Sequence, residues 1–266
     1  MHVSKSARGF AGAVHCRRGK ACCAPLAPSS LALHIPSMNH DNIVYRTAGW
    51  IIPLVIAIVF HEVAHGWVAK WLGDPTASER RRLTFNPIRH VDPVGTIILP
   101  LGLAIAGAPV FGWAKPVPII AERLRNPRWG MVLVALAGPG MNLALATISA
   151  VALGLAGAAV AGSAPSGVTA FLLANLLNFL LVNVFLALFN LLPLPPFDGG
   201  HVVEGILPRR LAYQYAKLGR FGFLLMIGLL VLLPMALPQA NIVQRLVGPP
   251  AEAVIQLFLK LAGAIA

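Results

Sequence analysis

His61, Glu62 and His65 belong to the run His-Glu-Val-Ala-His, whose residue types and spacing suit metal-assisted hydrolysis. In a helix, residues i and i+4 lie about 40° apart around the axis, so both imidazoles point the same way. Two such imidazoles are typical zinc ligands, and the Glu between them is placed to take a proton from water. We therefore predict a zinc site with Glu62 as the general base. The alternative is a pair of histidines that hydrogen-bond neighbouring helices.

Asp198 is the candidate for the third ligand that a catalytic zinc needs. Such a site has three protein ligands and one open position. No charged residue occurs after Arg128 until Asp198, which follows a long apolar stretch and three prolines and precedes two glycines. Prolines end a helix, and glycines let the backbone approach another group closely. Without the histidine motif, Asp198 would be interpreted as a turn residue at a membrane surface.

The composition places these residues in a membrane protein. Hydrophobic types make up 57% of the 266 residues and charged types only 11%, whereas soluble domains carry about 25% charged residues. A soluble enzyme, a disulfide scaffold and a disordered chain are therefore excluded. The net charge of +12 would suggest nucleic acid in a soluble protein. Here we expect loops that face an anionic cytoplasmic leaflet, and no nucleic-acid partner.

Long apolar runs predict the helices that position the motif. Span A covers roughly 43–72, and the uncharged gap that ends at Asp198 is long enough for two crossings, span B (about 129–160) and span C (about 169–195). Residues 221–237 form a further span, D. The segment 242–266 is either a weak last span or a helix lying on the interface.

Seven motifs occur in order along the chain: Phe60–His65, Gly73–Thr76, Arg82–Pro87, His90–Gly95, Gly112–Pro118, Ala137–Asn142 and Asn190–Gly200. Together they resemble the site-2 protease family of intramembrane zinc metalloproteases, and most closely its short bacterial members without a PDZ domain. The resemblance runs from about residue 38 to 221. It implies that His61, His65 and Asp198 bind Zn²⁺, that Glu62 is the catalytic base, and that Asn142 in the central core helix helps to hold the substrate. By itself, Asn142 would be interpreted as a polar contact between helices.

The positions of these residues also predict the topology. His61 lies late in span A, Asn142 early in span B and Asp198 at the end of span C, so they reach one depth only if the segment 73–128 begins and ends on one side. The run 93–114, broken by prolines and glycines, is then a re-entrant hairpin. His90 and Asp92, which precede or begin it, are interpreted as turn and interface residues outside the metal site.

The predicted fold is an all-α membrane protein: a polytopic helix bundle with a three-helix catalytic core, the re-entrant hairpin and a short β-like edge at Gly112 to Pro118. Basic residues cluster on the side where the three motifs meet, and the turn between spans B and C carries none. The positive-inside rule then predicts a multi-pass protein with its active site towards the cytoplasm. The resemblance to short bacterial members of the family implies that the membrane is the bacterial inner (cell) membrane.

The predicted function is hydrolysis of peptide bonds in or near transmembrane helices of membrane-protein substrates, with the lipid bilayer as the surroundings. The alternative is a transporter or metal-permeation protein that uses the same His, Glu and Asp cluster, although the chain shows no internal repeat. Residues 38–266 are expected to form the protease domain. Residues 1–37 are expected to be a basic disordered tail or leader, with Met38 as the natural start.

Overall fold

The computed structural model describes residues 43–107, 112–160, 165–237 and 242–266; the predicted tail, 1–37, lies outside them. The described residues form ten α-helices: α1 (Ile43–Trp71), α2 (Thr76–Glu79), α3 (Leu99–Ile105), α4 (Pro127–Ala159), α5 (Gly167–Asn190), α6 (Asp198–Ile206), α7 (Arg209–Gly219), α8 (Gly222–Ile227), α9 (Leu233–Ala236) and α10 (Ile242–Ile265). The all-helical prediction is confirmed for this part of the chain.

Helices α1, α4 and α5 are long and apolar enough to cross a membrane, which confirms the predicted spans A, B and C. Each of the three packs against the other two. Small side chains with no exposed surface, Ala146 and Ala150, let α4 approach its neighbours closely. Polar bridges add to this packing, because Asn178 Nδ2 of α5 donates to the Gly49 carbonyl of α1 at 2.7 Å.

Helix α1 ends where the sequence provides a stop. Gly73 follows it with a φ of +113°, a conformation that glycine adopts at little cost and that terminates helices. The chain between α1 and α4 ends at Asn126, whose side chain accepts a hydrogen bond from the Trp129 amide at 3.3 Å and caps α4. These two boundaries set where the catalytic motif lies in α1 and where Asn142 lies in α4.

The predicted span D is a bent element. Residues 221–237 form α8, a π-helical segment (Gly228–Leu232) and α9. Helix α7 and the run Gly222–Ala236 meet at 68° and make a fourth crossing only if they are counted as one span. Helix α10 packs on α4 and α5, closely enough that a Cβ on Gly154 would lie 2.6 Å from the Ala262 carbonyl oxygen.

The described residues on the two sides of the run 93–114 lie next to each other. A π-helical turn (Pro93–Ile98) continues into α3, and the chain returns beside it: the Trp113 amide donates to the Gly95 carbonyl at 3.2 Å and the Lys115 amide to the His90 carbonyl at 2.8 Å. Its entry into a membrane is a proposal.

The predicted β-like edge, Gly112 to Pro118, has no regular secondary structure and is not a strand. Pro116 and Pro118 have no N–H group to contribute to a ladder. The N–H of Val117 is bound instead by the Glu62 side chain. The segment is therefore held by loops and side chains, and not by a neighbouring strand.

Candidate metal centre

His61, His65 and Asp198 converge in a buried cluster. The two Nε2 atoms are 3.0 Å apart, and Asp198 Oδ2 lies 3.1 Å from His61 Nε2 and 3.4 Å from His65 Nε2. The histidines project from α1, and Asp198 is the first residue of α6. Residues far apart in sequence thus bring three possible ligand atoms within 4.8 Å of one another.

The donor set fits zinc. His65 Nδ1 lies 2.7 Å from the Val134 carbonyl oxygen; because a carbonyl only accepts, Nδ1 carries the proton and Nε2 keeps its lone pair. That lone pair faces the buried Asp198 Oδ2, which accepts no hydrogen bond. Converging acceptors without donors are costly when buried, and a cation between them removes the cost. Two imidazoles and one carboxylate are a typical catalytic zinc set.

Asp198 can serve as a ligand only as an anion, because a carboxylate must be deprotonated to bind a metal.

Gly138 is a site residue that the sequence reasoning missed. From its sequence alone, a glycine followed by Pro139 indicates a helix kink. In the structure α4 passes directly beside the imidazoles, and a Cβ on Gly138 would lie 2.5 Å from His65 Nε2 and 2.6 Å from His61 Nε2. Only a residue without a side chain lets α4 pack here. Its place in the Ala137–Asn142 motif was the signal available from sequence.

Gly138→Ala should therefore displace the imidazoles and weaken zinc binding by about tenfold or more, the range seen when the surroundings of a metal ligand are disturbed. The matched control is Gly140→Ala on the same helix, where an added Cβ meets nothing within 4 Å. Alanine favours a helix at both positions, so helix propensity does not separate the two variants. The measurement is zinc content after competition with a chelator, and equal zinc retention by both would contradict the assignment.

Glu62 is held by the segment Gly112 to Pro118. Its Oε2 accepts a hydrogen bond from the Val117 amide at 2.9 Å, and Val117 itself is buried. The carboxylate is thereby fixed beside the metal-binding helix face that carries His61 and His65. The contribution of Val117 could not be read from sequence, because it comes from a main-chain N–H.

Asp74 anchors the same segment further along. Its fully buried carboxylate accepts hydrogen bonds from the Ile120 amide at 2.6 Å, from the Thr76 amide at 3.0 Å and from the Thr76 hydroxyl. Burial raises the pKa of Asp74, but these hydrogen bonds and the Arg123 charge together lower it by more than burial raises it. The pKa of Asp74 therefore lies below its ordinary value. Buried Arg82 adds a bond from Nη2 to the Lys115 carbonyl at 2.8 Å. The loop after α1, through Asp74 and Arg82, thus holds the chain on both sides of Val117, which contacts Glu62.

Asn142 lies beside the cluster and contacts one of its histidines. Its side chain is fully buried, with Oδ1 2.5 Å from His61 Nδ1 and Nδ2 2.7 Å from Asn183 Oδ1. The resemblance implied a hold on the substrate, but both ends of this amide are bonded within the protein. Asn183 was not among the predicted residues.

His90 and Asp92 lie outside the cluster, as interpreted. His90 Nε2 contacts the Thr84 carbonyl oxygen at 2.9 Å. Asp92 Oδ1 accepts from the Val94 and Gly95 amides at 3.0 and 2.8 Å and caps the π-helical turn.

Comparison with known proteins bears on this geometry. The family model "Peptidase family M50" matches residues 49–233. The chain is 38% identical over 184 residues to "Putative zinc metalloprotease YwhC" of Bacillus subtilis (strain 168), a match that covers 68% of this chain and 79% of the relative. "Putative zinc metalloprotease Rip2" of Mycolicibacterium smegmatis is 30% identical over 184 residues, covering 69% of this chain and 65% of the relative. No solved structure matches the chain.

The family match takes in most of α1 and all of α4, α5 and α6, and so every residue of the metal cluster. The names of both relatives describe a zinc metalloprotease, in agreement with the donor set of two histidines and an aspartate. The chain therefore belongs to peptidase family M50, the site-2 protease family, and is a zinc metalloendopeptidase.

Proposed function

We propose that this endopeptidase hydrolyses peptide bonds in or near the transmembrane helices of membrane-protein substrates. The observation that carries the proposal is the position of the histidine motif within α1, a helix long and apolar enough to cross a membrane. Ionisable side chains at the centre of a membrane helix cost about 2.5–3.5 kcal/mol each and are by default functional. A buried site in such a helix is suited to substrates that share the bilayer. We assign the protease domain to residues 38–266.

In the proposed site, His61, His65 and Asp198 hold the zinc and leave a position open. When bound, zinc lowers the pKa of water towards about 7 and polarises a carbonyl group. Glu62 takes a proton from the attacking water and later passes it to the leaving amine. The Val117 N–H keeps the Glu62 carboxylate in one orientation for both transfers.

The substrate must unwind before it is cut. A helix keeps its amides hydrogen-bonded internally and its carbonyls shielded, above all within lipid. The segment Gly112 to Pro118 lies against Glu62, so a peptide that binds along this segment comes close to the base. We therefore expect substrates with helix-weakening residues near the cleavage site.

We further propose that the site faces the cytoplasm of a bacterial cell, in the inner membrane. His65 lies near the C-terminal end of α1, and Asp198 follows the C-terminal end of α5. Because the two residues meet in one cluster, both helix ends lie on one side. Exposed basic residues of the intervening loops, such as Arg80 and Arg125, belong to that side. The positive-inside rule assigns it to the cytoplasm.

Single cysteines at Arg80 and Arg125 test this orientation, after the three native cysteines have been replaced. Both positions are exposed, whereas the neighbouring Arg82 is buried and unsuitable. A membrane-impermeant thiol reagent should label both only from the cytoplasm, and a cysteine at Ser166, in the turn between α4 and α5, only from the other face. If the cysteines at positions 80 and 125 were labelled from opposite faces, the run 93–114 would cross the membrane. The proposed topology would then be wrong.

The substrate class is tested by comparing membrane-protein fragments in cells that carry the wild type and cells that carry Glu62→Gln. Fragments specific to the wild type should end within or next to transmembrane segments. Cuts confined to soluble domains would overturn the proposed specificity, although the chain would still be a zinc metalloprotease. No observation in the structure favours the transporter alternative.

A further inference from the structure

A line of buried polar side chains leads from α5 through α4 to the metal cluster. It consists of Asn183, Asn142 and His61, one from each of the three long helices. Both asparagines have no exposed surface. Their contacts are short: 2.7 Å from Asn142 Nδ2 to Asn183 Oδ1 and 2.5 Å from Asn142 Oδ1 to His61 Nδ1. Buried amides are costly unless hydrogen-bonded, so this line needs a reason to exist inside an apolar bundle.

The direction of these hydrogen bonds is set at one end by the main chain. Asn183 Nδ2 lies 2.8 Å from the Phe179 carbonyl oxygen, which can only accept. Asn183 therefore turns its oxygen towards Asn142, and Asn142 must meet it with its NH₂ group. The oxygen of Asn142 is then the atom that faces His61.

The tautomer of His61 follows from this order. An amide oxygen accepts, so His61 Nδ1 carries the proton and donates it to Asn142. His61 Nε2, 3.1 Å from Asp198 Oδ2, is left with its lone pair. If the Asn142 amide were rotated by half a turn, its NH₂ would face His61 Nδ1, which favours the tautomer that cannot bind a metal through Nε2.

We propose that Asn183 is a positioning residue that acts through Asn142 to hold His61 in its metal-binding tautomer and ring orientation. The proposal rests on the proposed ligation of zinc by His61. His65 obtains the same constraint directly from the Val134 carbonyl. Partners of this kind on ligating histidines contribute about 10–100-fold to metal affinity.

Replacement of Asn183 by Leu tests the proposal through zinc affinity, measured on the purified full chain by competition with a chelator. Asn183→Leu removes the nearer of the two oxygens that accept from Asn142 Nδ2, at 2.7 Å, and leaves only the Ala57 carbonyl at 3.4 Å. Zinc affinity should therefore fall by about tenfold. The matched control is Asn178→Leu on the same helix, which deletes a buried bond to the Gly49 carbonyl of α1 and touches no residue of the cluster. Asn178→Leu should bind zinc like the wild type.

A second variant separates positioning from general destabilisation. Asn142→Asp presents an oxygen to His61 in either orientation and can no longer donate to Asn183 Oδ1, so the hydrogen bond that turns residue 142 is already absent. In that background Asn183→Leu should cause no further loss of zinc affinity. The proposal would be overturned if Asn183→Leu lowered zinc affinity equally in the wild type and in the Asn142→Asp background. It would also be overturned if Asn183→Leu and Asn178→Leu bound zinc equally well. Undiminished zinc binding by His61→Ala would instead overturn the proposed metal site itself.

Discussion

Glu62→Gln is expected to abolish peptide-bond hydrolysis while the zinc and the fold are retained. The amide has nearly the shape of the carboxylate and its oxygen can still accept the Val117 N–H, but it cannot take a proton from water. General-base catalysis contributes about 10²–10⁴-fold to rate, so kcat on a membrane-protein substrate should fall by at least that order. The measurement is the cleavage rate of purified protein together with its zinc content.

Glu79→Gln is the matched control for this variant. Glu79 is an exposed carboxylate in α2 that pairs with Arg123 at 2.8 Å, away from the cluster. Its replacement should leave turnover close to that of the wild type. If Glu62→Gln retained turnover comparable to the Glu79→Gln protein, the catalytic base would have to be another residue.

Loss of the third ligand should have the largest effect on metal content. Wild-type protein should carry about one zinc per chain, since the described residues bring together one cluster of three ligand atoms. Asp198→Ala leaves two imidazoles and removes the carboxylate that lies 3.1 and 3.4 Å from them. Zinc content should therefore fall sharply in Asp198→Ala, as in His65→Ala, when the purified proteins are analysed for metal.

The control for Asp198 is an acidic residue on the same short helix. Glu204 in α6 is half exposed and lies 3.8 Å from His201, so Glu204→Ala changes the charge of α6 without touching the cluster. It should keep its zinc. Full zinc occupancy in Asp198→Ala would remove this residue from the ligand set and, with it, the argument that links α6 to α1.

Several features of the site were predictable from the sequence because they depend on local geometry. The i, i+4 spacing of His61 and His65 places them on one helix face wherever the helix lies. The apolar runs set the three long helices, since about 20 residues are needed for each crossing. Asp198 could be selected as the third ligand because acidic residues are rare next to uncharged spans.

Other features were decided only by the tertiary structure, because they depend on how distant segments pack. Gly138 matters because α4 passes beside the two imidazoles, and Asn183 because α5 presents it to Asn142. Their residue types fit many roles in an apolar helix. The register between helices, which selects one role, is set by packing along their whole length.

Main-chain groups mark the limit of what the sequence by itself determined. The N–H that holds Glu62 and the carbonyl that orients His65 belong to Val117 and Val134. Every residue other than proline offers the same N–H, and every residue the same carbonyl. The sequence therefore determined which side chains could form the metal centre. The main-chain and amide partners that orient them were decided by the fold, because only the fold brings those groups within hydrogen-bonding distance.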